Sequence, residues 1–147
     1  MTEISINTPA LLFPAITLLM LAYTNRFLAL ATTVRKLHEE YLSGVKEKHI
    51  VGQIKNMRSR LNLIRYMQAL SVVSFLLCVL CIYVIFREWM ILANYIFAAS
   101  LIFLFASILL SLFEINKSTK ALELELSDIE ELNKSNIFKD IFQHEED

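Results

Sequence analysis

The chain has 147 residues, 56% of them apolar or aromatic and 20% charged, with only two Gly, two Pro and two Cys. Soluble domains sit near about 45–50% apolar even with Gly counted, and near about 25% charged. This balance excludes a disulfide scaffold, a disordered chain and a soluble nucleotide-binding enzyme, which would need turn residues and a Gly-rich phosphate loop. The net charge of −1 hides a segregation of sign along the chain.

Three runs carry no charge: Ile4 to Asn25, Tyr66 to Phe86 and Trp89 to Phe113, of 22, 21 and 25 residues. About 20 helical residues cross a hydrocarbon core of about 30 Å, and a helix satisfies its own backbone in lipid. The alternating segments of a β-barrel are absent. The expectation is an all-α membrane protein forming one integral domain over 1–147, with spans at about 9–31, 66–86 and 89–113. Met1-Thr2-Glu3 is acidic and no small-x-small site follows, so the first run reads as a retained helix instead of a signal peptide. Thr8 is the expected N-cap, Pro9 suits a first turn, and Pro14 should kink or loosen the outer end.

Eight bases, Arg35, Lys36, Lys46, Lys48, Lys55, Arg58, Arg60 and Arg65, crowd the connection between the first two spans. The positive-inside rule then places the N-terminus outside and the C-terminus in the cytoplasm, with Trp89 and Tyr95 in an outer aromatic belt. Phe27, Leu30, Val34, Leu37 and Tyr41 recur at three- and four-residue steps, and so do Ile50, Ile54, Met57, Leu61 and Ile64. With Ser43-Gly44 ending the first series, a cytoplasmic helical hairpin is expected at about 32–65. Residues 114–147 should form an acidic helix and tail, with Ile115, Leu122, Leu126 and Ile129 as its apolar stripe. That segment holds ten acids against four lysines, a balance of −6, whereas Val34 to Ala69 stands at +5. Opposite charge and apolar stripes together predict a cytoplasmic bundle, within or between subunits. The alternative is a basic side on anionic lipid and a solvated tail.

Ala22-Tyr23-Thr24-Asn25-Arg26-Phe27-Leu28-Ala29-Leu30 and Val34-Arg35-Lys36-Leu37-His38-Glu39-Glu40-Tyr41 resemble the first half of the bacterial membrane family called domain of unknown function 2721. Gln53-Ile54-Lys55-Asn56-Met57-Arg58, Leu63 to Leu70 and Ala121 to Asp128 resemble its middle and end, so the likeness covers roughly Ala10 to Glu130. The resemblance implies a three-span protein of the bacterial cytoplasmic (inner) membrane. It implies no activity and brings no catalytic residues.

Ser71, Ser74, Cys78 and Cys81 line one face of the second span, and Ala93, Ser100, Ser107 and Ser111 one face of the third. Small residues at such steps let membrane helices approach closely. Cys78-Val79-Leu80-Cys81 therefore reads as packing, because thiol exchange and zinc binding both need a thiolate that hydrocarbon disfavours. His38 and His49 stand equally far from the hairpin turn and are weak metal candidates, three ligands with Glu39 being short of a closed zinc site. Arg26 follows Thr24 and Asn25 near the inner edge of the first span. It either snorkels to headgroups or faces a polar interior together with Thr24, Asn25 and Ser107, with Glu114 as a candidate partner.

No nucleophile–base pair, metal motif or phosphate loop points to an enzyme, a cofactor or nucleic acid. Two small-residue faces and a polar Thr24-Asn25-Arg26 edge are more than three helices are expected to bury, which predicts a homo-oligomer. Two functions remain: a channel-like oligomer for small ions, or a non-conducting accessory or scaffold subunit docking a protein partner through its charged cytoplasmic helices.

Overall fold

The structure, a computed structural model, describes residues 4–44 and 48–143, with side chains described over 4–44 and 51–135. It consists of α1 (Asn7–Leu42), α2 (Lys48–Phe86) and α3 (Met90–Gln143). Each helix is long and apolar enough to cross a membrane. The chain divides into two compact units, Met1–Leu112 and Phe113–Asp147.

The start of α1 differs from expectation. The helix begins at Asn7, so Thr8 lies in its first turn and is not the N-cap. The N-cap position is Ile6, which makes no side-chain capping bond; one residue further out, Ser5 Oγ accepts from the Asn7 amide at 3.3 Å and Ser5 O from the Thr8 amide at 3.0 Å. A hydroxyl reaching an amide two residues on satisfies a donor that the helix leaves over. Pro14 sits inside the unbroken helix. At the other end the Ser43 amide donates to Glu39 O and the Ser43 hydroxyl to Glu40 O, and Gly44 takes φ +107°. Only Gly enters that region without steric cost, so the chain ends the helix here.

Burial in α1 recurs every seventh residue, at Pro9, Ile16, Tyr23 and Leu30. A seven-residue period keeps one face on a neighbour when helices wind gently around each other. On α2 the buried series Ile64, Met67, Ser71, Ser74, Cys78, Cys81 and Ile85 alternates steps of three and four. Three clusters stack along the first unit: Tyr23 and Leu30 with Ile64 and Met67, then Ile16 with Cys78 and Leu104, then Cys81, Val84 and Ile85 with Ala93. Phe13 and Phe75 tie α1 to α2 with ring centroids 4.9 Å apart.

The turn between α2 and α3 is closed by its own backbone. The Glu88 amide donates to Ile85 O at 2.9 Å and the Trp89 amide to Val84 O at 3.2 Å, while Glu88 holds φ +62°. This pairing of a short and a long bond around a left-handed residue is the Schellman closure, usually given to Gly. Arg87 places its guanidinium carbon 5.6 Å from the Trp89 ring centre.

The second unit is the remainder of α3. Leu122, Leu126 and Ile129 are 59, 55 and 62% exposed there. The apolar spacing predicts a covered stripe, and these side chains are exposed instead. Glu123, Glu125, Asp128, Glu130 and Glu131 are exposed beside it.

Candidate functional site

The polar chemistry of the first unit lies along the seam between α2 and α3. Ser74 and Ser100 pair reciprocally: Ser74 Oγ donates to Ser100 O at 2.8 Å, and Ser100 Oγ to Ser74 O at 3.2 Å. Cys78 Sγ lies 2.9 Å from Ser100 Oγ, and Cys81 Sγ donates to Ala93 O at 3.4 Å. Only side chains this short let one helix bond to the backbone of the next. Towards the charged end, Ser107 Oγ donates to Met67 O at 2.9 Å and lies 2.8 Å from Ser71 Oγ. The buried Tyr23 hydroxyl stands 3.4 Å from the same oxygen, so all three helices meet at Ser107. A hydroxyl has one proton, so the Met67 carbonyl at 2.9 Å and the Tyr23 hydroxyl at 3.4 Å compete for that of Ser107, the carbonyl being the nearer.

The two small-residue faces therefore meet each other within one chain, all but Ser111, which is half-buried. The expectation of an oligomer rests on these two faces and on the Thr24-Asn25-Arg26 edge; the faces have a partner within the chain. The Cys78-x-x-Cys81 pair belongs to this seam, with both side chains buried.

The Thr24-Asn25-Arg26 edge lies elsewhere. Thr24 Oγ1 donates to Met20 O at 2.9 Å and accepts from Gln68 Nε2 at 3.0 Å, both side chains lying outside the seam. Because α1 and α2 run antiparallel, that bond puts Arg26 level with Tyr66, one residue from Arg65 where the charged run of α2 ends. Asn25 is exposed and Arg26 half-buried. Ser107 is thus joined to Tyr23 and not grouped with Thr24 and Asn25.

Glu114 is buried, and its Oε1 accepts from Ser118 Oγ at 2.7 Å, one turn further along the helix. It continues the seven-residue series Ala93, Ser100 and Ser107. His38 is exposed on α1, and the side chain of His49 lies outside the described residues. Among the described residues no group of three or more His, Cys, Asp and Glu side chains is placed to hold a metal ion.

Sequence reading misses Tyr23 and Gln68. Tyr23 is signalled by the seven-residue series it shares with Pro9, Ile16 and Leu30. Gln68 is signalled by being the one side-chain amide in the uncharged second run.

The family model described as "Protein of unknown function (DUF2721)" matches residues 6–124. The chain belongs to that family. The match takes in all of α1 and α2 and runs along α3 as far as Leu124, so both the seam and Glu114 lie within it. No curated protein and no solved structure matches the chain.

Proposed function

We infer that the protein is a non-conducting docking subunit of the bacterial cytoplasmic membrane, with its N-terminus outside and the end of α3 in the cytoplasm. The observation that carries this reading is the apolar stripe Leu122, Leu126 and Ile129, exposed between rows of acids. An apolar face in water favours burial by about 25 cal/mol per Å², which membrane-facing leucines do not gain. A groove with an apolar floor and basic rims is its natural partner: the apolar face supplies affinity and the charges orientation.

Co-purification from native membranes tests this. The wild-type chain should bring down a stoichiometric partner, which Leu126→Glu with Ile129→Glu releases. Glu130→Lys with Glu131→Lys should weaken the complex more at low salt than at high salt. A wild-type chain that purifies free of partners, with both variants behaving identically, contradicts the reading.

A channel-like homo-oligomer is the second reading, and the exposure of Asn25 favours it. That amide stands on the outer face of α1 beside the exposed Leu21 and Leu28. An amide in an apolar face seeks a partner on another helix, worth about 1 kcal/mol. Asn25→Leu should then dissociate the oligomer, and Arg26→Gln should change ion selectivity in reconstituted bilayers. Monomers in mild detergent, or verified oligomers that carry no current, contradict it.

A further inference from the structure

The face of α2 opposite the buried seam changes character within two turns. Arg58, Asn62 and Arg65 are exposed there at steps of four and three. The same face continues through Val72, Leu76 and Tyr83, all exposed and apolar or aromatic. Cationic and apolar parts thus stand in line on one continuous helix, with the change falling between Arg65 and Val72.

We propose that Arg58, Asn62 and Arg65 form a site for the phosphate of an anionic phospholipid whose acyl chains lie along Val72, Leu76 and Tyr83. The rise of about 1.5 Å per residue puts the Arg58 and Arg65 backbones about 10 Å apart, with Asn62 between them. Two long side chains on one face converge across that distance on a single phosphate, and guanidinium forks match its oxygens. The Cα–Cβ bonds of α2 tilt towards its N-terminus, which here is the charged end. Arg65 is therefore set to leave the hydrocarbon in the direction of the headgroups. An acidic protein would meet the cations but not the apolar row in line with them; a phospholipid meets both. This inference needs only that α2 crosses the membrane, and is independent of the docking reading.

The test uses the full chain in phosphatidylcholine nanodiscs holding a minor fraction of phosphatidylglycerol. Lipids retained on the released protein are counted by native mass spectrometry. The wild type should be enriched in phosphatidylglycerol, and Arg65→Gln should lower that enrichment about fivefold, Arg58→Gln somewhat less. Lys55→Gln, about 15 Å along the helix from Arg65, and Arg35→Gln on α1 should stay within about twofold of wild type. Arg65→Lys, which keeps the charge and the membrane anchor, should fall between wild type and Arg65→Gln. Millimolar inorganic phosphate should displace none of the bound lipid. Equal retention of the two lipids by the wild type, equal losses in all the Gln variants, or displacement by free phosphate overturns the proposal.

Discussion

The two parts of α3 use opposite chemistry on faces of similar period. Up to Leu112 the helix buries small and polar residues, Ala93, Ser100 and Ser107, at steps of seven. Beyond it, Ile115, Leu122 and Ile129 recur at the same step and are exposed. The solvent explains the inversion. Between helices in lipid an apolar side chain gains nothing over its contact with acyl chains, so close approach and hydrogen bonds provide the attraction. In water an apolar stripe is the part that favours association, and a charged surround keeps such a stripe soluble. One helix thus carries a face already used within the chain and a second face open to another molecule.

The largest expected effect comes from filling the seam. Ser100→Leu forces a branched side chain between two backbones held by reciprocal serine bonds, and should cost roughly 1–3 kcal/mol in a detergent-unfolding titration. Ser107→Ala removes the meeting point of three helices without overpacking it. We expect a loss of roughly 1–2 kcal/mol in the same assay, more than for Ser74→Ala because the contact with the Tyr23 hydroxyl is lost as well. Thr24→Val should cost about 0.6 kcal/mol, since it breaks one exposed interhelical bond to Gln68. Glu88→Gly relaxes the left-handed turn residue and should raise stability by about 0.5–1 kcal/mol. At the other extreme, Leu126→Glu should leave the unfolding of the first unit within about 0.5 kcal/mol of wild type. A comparable loss there would erase the contrast between the two parts of α3.

The sequence makes the seam readable because Ser, Cys and Ala at steps of three, four and seven have few other uses in an apolar helix. It also makes the three spans readable, since long uncharged runs leave a membrane helix as the simplest fate. What spacing does not reveal is which face meets which. Ser71 and Ser107 have the same periodic signature whether they bond to each other or to a second copy; within the chain their hydroxyls lie 2.8 Å apart. Tyr23 is hidden because a phenol among leucines looks like bulk apolar surface until a hydroxyl faces it. Thr8 misleads for a local reason: the helix starts one residue earlier, at Asn7, so Thr8 lies inside its first turn and Ile6 holds the cap position.

The central claim is that the small-residue seam closes within one chain. Its most direct test is the destabilisation by Ser107→Leu, measured by unfolding at two protein-to-lipid ratios roughly a hundredfold apart. An intrachain seam predicts the same loss, in kcal/mol, at both ratios. A loss that shrinks on dilution, as the wild type comes apart on its own, would show that Ser107 packs between copies and would contradict the account.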